Sequence, residues 1–367
     1  MTHPGAVVIP AALAIAQATG ARGRELITAI AAGYECMGRV GQAVGIRNID
    51  HGFHGTGQQG PLGSAVAVSK LLGFGAHQLE NAVGLSVSLG SGIKAFTAGP
   101  GMVKRLHAGR AAEAGILAAH GTLHELIGPR RPLTSKFGFV HVFALGAAEK
   151  PEALSKDLGE TWVVDDIYLK PYAACGALHG SIVAAEQVRA QLERAGIDLS
   201  LAEASTITVG SSRRAVEQNS CPDPPDVMSA QYSMEYAVAL ALQGTVRDAS
   251  RFLAVEHGGD DDVRALARRI EIRVDDRAQA AYPHSNEGSV SVTLADGRAF
   301  RHYGVADAGK SQGWDVAEKK FRQTVTALVG QRSADEVIAG VLGLLGDGDV
   351  AGVLAPLRGH LEARVAA

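Results

Sequence analysis

The spacing of apolar residues divides this chain into a helical part and a part that mixes helices with strands. From Ala6 to about Leu145, apolar residues recur every three or four positions, which is the periodicity of amphipathic helices. Pro61 and Gly73 flank one such stretch and are typical of a helix start and a helix end. The helices predicted in this part include residues 10–18, 23–34, 62–72, 77–89 and 108–120.

Strand-like patterns appear only after residue 160. Residues 289–301 alternate apolar and polar positions around an Asp296-Gly297 turn, and this pattern predicts a β-hairpin. The other segments predicted here are strands at 162–169, 205–210 and 271–275 and a helix at 180–192.

The two patterns together predict a mostly α protein with an α+β lid. Helical periodicity returns from Asp315 to the end, so both ends of the chain are expected to be helical. We therefore predict a helical domain formed by residues 1–160 and 306–367, interrupted by a smaller α+β domain at 161–305.

Composition and charge exclude several classes of protein. The 367 residues carry 35 Lys and Arg against 38 Asp and Glu, a net charge of −3. No stretch has the basic run that phosphate contacts need, so we expect no nucleic-acid partner. No apolar run reaches the ~18–20 residues of a membrane span, so we expect no membrane partner either. No secretory signal is recognisable at the N-terminus, and we expect a cytoplasmic protein that handles small molecules.

The three cysteines do not follow a metal-binding or disulfide pattern. Cys36, Cys175 and Cys221 lie far apart in the sequence. This spacing fits neither a disulfide framework nor a Cys-x-x-Cys site, and no metal is predicted.

Residues 55–60 spell G-x-G-x-x-G, the fingerprint of dinucleotide-binding sites. The fingerprint has this meaning only between a buried strand and the helix of a βαβ unit. Residues 47–54 in front of it are polar and lack strand character, and helical periodicity follows. The context therefore argues against a Rossmann site.

The same segment is a candidate anion-binding loop. His51 and His54, with Arg47 nearby, lie among glycines just ahead of a predicted helix. Glycine lets a backbone approach a ligand closely, and a helix start favours an anion. A surface loop with incidental histidines explains the same residues. Zinc is a poorer interpretation, because no His-x-x-x-His pair lies on a helix.

Basic side chains crowd the start of the next predicted helix. Lys104, Arg105 and His107 follow a glycine-rich loop that contains Thr97. Lys104, His107 and Arg110 are about one helical turn apart and can share a face. Cations at a helix start oppose the helix dipole, so their presence favours an anionic ligand. A solvated basic face is the alternative.

Residues 170–180 form a third group at the start of the predicted α+β domain. Lys170 opens the group, and Cys175 and His179 are four residues apart, a spacing that can place both on one helical face. Such a pair suggests a thiol–imidazole dyad, although a dyad usually draws its groups from separate elements. A packed cysteine beside a positioning histidine is the alternative.

Segments in order along nearly the whole chain resemble the MmgE/PrpD family, which includes 2-methylcitrate dehydratase, cis-aconitate decarboxylase and iminodisuccinate epimerase. The Asp296-Gly-Arg hairpin and the helix near Trp314 extend the match. The main segments are His3-Pro-Gly-Ala, Phe53-His-Gly-Thr-Gly with Gly60-Pro-Leu-Gly-Ser-Ala-Val-Ala, Met102-Val-Lys-Arg-Leu-His-Ala-Gly-Arg-Ala-Ala, Lys170-Pro-Tyr-Ala-Ala-Cys-Gly-Ala-Leu-His and Ser233-Met-Glu-Tyr-Ala-Val-Ala.

The resemblance implies a helical domain built from both chain ends, an α+β lid, a homodimer and an active site without a cofactor. Two lysines suit a substrate with two or three carboxylates, and a neutral histidine suits proton transfer near pH 7. The family's active-site residues fall on His3, His54, Lys104 and Lys170. Further residues expected to contact the substrate are Arg47, Thr97, Arg105, His107, Cys175, His179 and Arg213.

Two features depart from the family pattern. Family members have several helices and an Asp-rich stretch ahead of the His-Pro motif, whereas this sequence begins two residues before His3. If that segment is missing, the helical domain lacks a face and an acid/base group, which predicts a truncated, non-catalytic paralogue. The decarboxylase also has a histidine in place of Cys175 and an active-site tyrosine near Arg213, where an arginine favours carboxylate binding.

The leading hypothesis is a cofactor-independent lyase acting on a small polycarboxylate by proton abstraction beside a carboxylate. Dehydration of a 2-methylcitrate-like substrate, as in propionate metabolism, is the first choice. Lys104, Lys170 and Arg213 would bind carboxylates and stabilise the enediolate, while His54 or His3 moves the proton. The alternatives are epimerisation of an iminodisuccinate-like substrate, decarboxylation of cis-aconitate and the non-catalytic paralogue.

Overall fold

The computed structural model describes residues 2–97, 101–197, 204–306 and 313–359. The chain forms two compact units. Unit 1 comprises Met1–Ala95, Val103–Ile167 and Gly313–Ala367, and unit 2 comprises Phe96–Met102 and Tyr168–Gln312. Helices dominate the structure, and unit 2 adds a small mixed sheet, so the prediction of a mostly α fold with an α+β portion is confirmed.

The first part of unit 1 is built from helices that overlap each of the five segments predicted at residues 10–120. The core includes Val8 and Ala12 from the first helix and Leu26 and Met37 from the second, all almost completely buried. These helices are α1 Val8–Thr19, α2 Gly23–Val44, α3 Arg47–Asp50, α4 Gly55–Leu71, α5 Ala76–Ser86, α6 Val103–Leu123 and α7 Phe139–Phe143.

Unit 2 combines short helices with a four-stranded sheet in the order β2-β1-β3-β4. Strand β1 is parallel to β2 and antiparallel to β3, and β3 is antiparallel to β4. Its elements are α8 His179–Arg194, β1 Ala204–Ser211, α9 Arg213–Gln218, α10 Val227–Tyr232, α11 Met234–Leu242, α12 Ser250–His257, α13 Asp261–Ala267, β2 Ile270–Val274, α14 Asp276–Ala281, β3 Glu287–Leu294 and β4 Ala299–Val305. The chain then returns to unit 1 in α15 Trp314–Gly343, which bends at Gly330.

The hairpin and two of the three separate strands predicted from the sequence are confirmed. In β3 every second residue is buried, so Val290, Val292 and Leu294 face the core. The turn contains Gly297 at a φ of +87°, and the Asp296 carboxylate accepts the backbone N–H of Arg298 at 2.9 Å.

The strand predicted at residues 162–169 is wrong. Val163–Asp166 form a 3₁₀ turn, and the Val163 N–H donates to the Glu35 carboxylate at 2.7 Å instead of to a neighbouring strand. The Val163 side chain packs on Gly38 of α2. The apolar run therefore packs against α2 and the core of unit 1 and does not pair with a strand.

Three glycines allow the start of α8 to lie directly on the sheet of unit 2. A Cβ atom at Gly180 would lie 2.6 Å from the Asn286 carbonyl oxygen, and one at Gly304 would lie 2.2 Å from the Gly180 carbonyl oxygen. Gly288 and Gly304 are register partners in β3 and β4. This contact fixes the start of α8, immediately after the segment that contains Lys170 and Cys175.

Across the described ranges, no helix combines the length and the apolar stretch that crossing a bilayer requires.

Candidate active site

The glycine-rich segment at residues 55–60 is the start of helix α4. The prediction of a loop at these residues is therefore wrong. Pro61 accordingly lies inside the helix and does not open it. Proline has no N–H for the carbonyl four residues earlier, which is that of Gly57. The Ser91 N–H donates to this carbonyl at 3.2 Å instead. The loop at residue 91 therefore supplies the hydrogen bond to the Gly57 carbonyl that Pro61 cannot donate.

The glycines of α4 let two other helices approach its backbone. A Cβ atom at Gly60 would lie 2.8 Å from the Ala111 Cβ of α6, and one at Gly63 would lie 2.8 Å from the Gly33 carbonyl oxygen of α2. The Ser64 hydroxyl also donates to the Ala111 carbonyl at 2.8 Å. G-x-G-x-x-G thus marks close helix packing here, and its backbone is buried against protein and not open to a dinucleotide.

Helix α4 begins beside a group of histidines, which we call the histidine cluster: His3, His54, Thr56 and His107. His54 directly precedes the helix, which begins seven residues earlier than the predicted start at residue 62, and the residue is 7% exposed. Its Nδ1 lies 2.9 Å from Nδ1 of His107 on α6. His3 Nδ1 lies 2.7 Å from the Thr56 hydroxyl, and the His3 ring centroid lies 6.3 Å from that of His54.

The surroundings of His54 keep its ring neutral. Burial, followed by the charges of Lys104, His107 and Lys94, lowers the pKa of His54 to about 3. Burial also lowers the pKa of His107. The two rings therefore share their hydrogen bond as neutral imidazoles at physiological pH.

The basic residues at the start of α6 have different surroundings. Lys104 is half-buried and acts on the charge of His54, whereas Arg105 is exposed. Arg110 forms an ion pair with Glu113, and both side chains are largely exposed. Of the three residues predicted to share a face, Lys104 and His107 thus belong to the surroundings of His54, and Arg110 is bound to an acid.

Arg47 is exposed at the first residue of α3. Its neighbour Asn48 is completely buried and donates to the Gln58 side chain at 2.9 Å. This hydrogen bond attaches helix α3 to α4, while the Arg47 side chain remains exposed to solvent.

In unit 2, Lys170 and Cys175 lie in a group with two tyrosines. Burial lowers the pKa of Lys170, with Cys175 acting in the opposite direction. Burial and a hydrogen bond with Cys175 raise the pKa of Tyr232. Burial and Cys175 likewise raise the pKa of Tyr168. A Cβ atom at Gly176 would lie 3.6 Å from the Tyr168 hydroxyl and 3.9 Å from the Lys170 ammonium, so both polar groups meet at this glycine.

His179 belongs to the core of unit 2. It is 2% exposed, its ring meets that of Tyr172 edge-on at 5.2 Å, and its Nε2 lies 3.4 Å from the Ala174 carbonyl. Cys175 instead shares its hydrogen bond with Tyr232. The structure therefore favours a packed cysteine and a positioning histidine over a thiol–imidazole dyad.

The two remaining predicted contacts also lie in unit 2. Arg213 is exposed at the first residue of α9, and its backbone N–H donates to Gln279 at 2.9 Å. The half-buried Thr97 ends a 3₁₀ turn, immediately before residues 98–100, which lie outside the described ranges.

Sequence reasoning missed three residues of these groups: Lys94, Tyr168 and Tyr232. Lys94 stands in the glycine-rich stretch ahead of α6, and Tyr232 directly precedes the Ser233-Met-Glu-Tyr motif. Position beside a motif was the available signal for both. Tyr168 lies within the segment wrongly predicted as a strand, so it was not considered as a site residue.

The described part of the chain contains no group of three His, Cys, Asp or Glu side chains arranged to hold a metal ion. Unit 2 also contains a cavity of about 770 Å³ that none of the predicted site residues lines. Two of its arginines are paired with acids, Arg189 with Glu193 at 2.5 Å and Arg251 with Asp262 at 3.8 Å. Because these charges are compensated within the protein, we assign no site to this cavity.

Comparison with known proteins finds both parts of one family. The model of the MmgE/PrpD N-terminal domain matches residues 1–152, and that of the MmgE/PrpD C-terminal domain matches residues 172–344. A cis-aconitate decarboxylase of Aspergillus terreus is 29% identical over 258 residues, which are 66% of this chain and 51% of that protein. The human cis-aconitate decarboxylase is 28% identical over 357 residues, 92% of this chain and 70% of that protein. The chain thus spans about half the length of the fungal relative.

Proposed function

Because the chain belongs to the MmgE/PrpD family, we propose that it is a cofactor-independent lyase acting on a small polycarboxylate. The observation that carries the proposal is the neutral pair of His54 and His107, with Lys104 and Lys94 acting on its charge. A neutral imidazole accepts a proton, and ammonium groups stabilise carboxylates and the negative charge that develops beside them. The relatives named as cis-aconitate decarboxylases support a tricarboxylate as the substrate class.

In the proposed reaction, the lysines bind the carboxylates and His54 moves the proton. The substrate C–H bond breaks, the proton goes to a ring nitrogen of His54, and the electron pair enters the adjacent carboxylate as an enediolate. Lys104 and Lys94 compensate this negative charge as it develops in the transition state and is completed in the enediolate. His3, which contacts the Thr56 hydroxyl, is the further group of unit 1 assigned to the substrate. For Lys170, the role in substrate binding remains the expectation that the family resemblance gave.

The finer reaction is one of two candidates. The names of the relatives favour decarboxylation of cis-aconitate, in which loss of CO2 leaves an electron pair that a histidine-bound proton quenches. At position 175 the resemblance expects a histidine in the decarboxylase, whereas this chain has a cysteine that is hydrogen-bonded to Tyr232. This difference favours dehydration of a 2-methylcitrate-like substrate. A homodimer remains part of the proposal.

Proton NMR in D2O with 2-methylcitrate, citrate, cis-aconitate and iminodisuccinate tests the proposal. A new alkene from 2-methylcitrate or citrate identifies a dehydratase, and itaconate from cis-aconitate identifies a decarboxylase. Deuterium at carbon in iminodisuccinate without a new skeleton identifies an epimerase and overturns the lyase proposal.

Lys104→Ala should be inactive in the same assay, and Lys70→Ala, which changes an exposed lysine of α4, should match the unmodified protein. A folded, unmodified chain that leaves all four compounds unchanged would instead support the non-catalytic paralogue.

A further inference from the structure

We infer that His54 and His107 work as a proton relay, in which His54 passes one proton to His107 as it accepts another from the substrate. The inference rests on the proposed function and deepens it. His107 then acts through His54 as a positioning residue for the proton. This role differs from the sequence analysis, which expected His107 to contact the substrate.

The contact between the two rings restricts where their protons lie. The two Nδ1 atoms are 2.9 Å apart, so one of them carries a hydrogen and the other accepts it. When both rings are neutral, the donor ring has a bare Nε2 and the acceptor ring carries its hydrogen on Nε2. Shifting the bridging proton across the pair exchanges these two arrangements.

A lone His54 is poorly suited to hold an extra proton. Its ring is buried, and the ammonium groups of Lys104 and Lys94 disfavour a third positive charge there. An imidazolium at His54 would therefore be formed at a high free-energy cost. A base in this place needs a way to dispose of the proton as it arrives.

The relay provides that route without creating an imidazolium. The substrate proton bonds to His54 Nε2, the bridging proton leaves His54 Nδ1 for His107 Nδ1, and His107 releases its Nε2 proton to water. The electron pair of the broken C–H bond remains on the substrate as the enediolate. His54 gains a proton at Nε2 and loses one at Nδ1, while His107 gains one at Nδ1 and loses one at Nε2. Both rings therefore remain neutral.

The backbone around the pair holds both rings. The His54 N–H donates to the Gly92 carbonyl at 3.0 Å, and a Cβ atom at Gly92 would lie 3.1 Å from His107 Nδ1. The same glycine, at a φ of +111°, thus contacts both histidines. His107 is half-exposed, which allows it to exchange its outer proton with solvent.

Among the described residues, Lys94, Lys104 and His3 are further titratable groups that act on or contact His54. The lysines act on His54 as fixed charges. The His3 ring centroid is 6.3 Å from that of His54, and its Nδ1 is engaged with the Thr56 hydroxyl. His107 is therefore the group placed to take the proton from His54 Nδ1.

The test compares His107→Asn with His107→Ala, using as substrate whichever compound of the NMR panel the unmodified protein converts. Asparagine keeps a hydrogen-bonding group beside His54 but cannot pass a proton on. We expect both variants to lose about 10²–10⁴-fold in kcat, the usual contribution of a positioned acid/base group, with KM nearly unchanged. Added imidazole should restore kcat to His107→Ala and not to His107→Asn. His120→Ala, which changes an exposed histidine of the same helix, is the matched control and should remain active.

Nearly full kcat in His107→Asn would overturn the relay, because fixing the orientation of His54 would then suffice.

Nitrogen-15 NMR of the histidines gives a second readout that needs no turnover. It should show two neutral rings with a single Nδ1-bound proton between them, and two Nε2-protonated rings would overturn the inference. An unmodified protein without activity on any compound contradicts the proposed function, whereas an active protein with an active His107→Asn variant contradicts the relay alone.

Discussion

The carbonyl oxygen of Gly57 accepts a hydrogen bond from the Ser91 N–H, and Gly57 has no room for a side chain because of this contact. The N···O distance is 3.2 Å, and a Cβ atom at residue 57 would lie 2.2 Å from the Ser91 carbonyl oxygen. Pro61 leaves the Gly57 carbonyl without its helical partner, and the loop at residue 91 replaces that partner. The same loop contains Gly92, which contacts His54 and His107.

Gly57→Ala should therefore destabilise the protein. The added methyl group displaces the loop from α4, and we expect overpacking to lower the free energy of unfolding by about 1–3 kcal/mol. Urea denaturation measures the change. Gly109→Ala is the matched control, because this helical glycine has open space around its Cβ position and alanine favours a helix by about 0.5–1 kcal/mol. A Gly57→Ala variant as stable as Gly109→Ala would contradict the contact.

Lys104→Met should raise the pKa of His54. Burial is the largest cause of the low pKa of His54, and the charge of Lys104 is the next. The substitution removes the charge and keeps the burial. The pKa should therefore rise from about 3 but stay below the ordinary value of about 6.5. Titration of the imidazole signals by NMR measures it, and Lys70→Met serves as the exposed control. An unchanged pKa in Lys104→Met would separate this lysine from the histidine cluster.

His54 should make the protein less stable as the solution becomes acidic. Its pKa is about 3 in the folded chain and near 6.5 when unfolded, so the unfolded state binds more protons between these values. The free energy of unfolding should fall over that range by up to about 1.4 kcal/mol per pH unit from this group alone. Denaturation at several pH values should show a smaller slope for His54→Gln. Equal slopes would mean that the folded protein does not keep His54 neutral.

Arg39→Ala should cost about 3–5 kcal/mol of stability, because it leaves the carboxylate of Glu35 buried without its partner. The Arg39 guanidinium also donates to the carbonyls of Ala153 at 2.9 Å and Thr161 at 3.1 Å, and so anchors the segment before unit 2.

Thermal and urea denaturation should be compared with Arg332→Ala. That residue forms an ion pair of the same four-residue spacing with Glu336, but its side chain is 92% exposed. Surface pairs contribute at most about 1 kcal/mol. Similar losses in the two variants would contradict the role of the buried pair.

The sequence predicted those elements whose pattern is set by their own residues. The α2 periodicity, the alternation in β3 and the Asp296-Gly297 turn all appear as expected, because each depends on hydrogen bonds and burial within a short segment. Residues 162–169 have strand-like composition as well, yet Glu35 takes the hydrogen bond that a strand partner would need. Local pattern could not reveal that competitor, which lies 128 residues away.

The candidate site divides in the same way. The motifs identified His3, His54, Lys104 and Lys170 as groups for chemistry, and their assignment to the substrate remains a prediction. The sequence by itself determined the longer helices, the hairpin and the family, since these follow from periodicity, turn chemistry and ordered motifs. Only the tertiary structure decided that Gly60 packs against α6, that Gly57 packs against the loop at residue 91, and that the Nδ1 atoms of His54 and His107 lie 2.9 Å apart. The reason is physical: which faces of α4 and α6 touch depends on how closely their backbones approach. That distance depends on both helices together, so the residue pattern of either one cannot predict it.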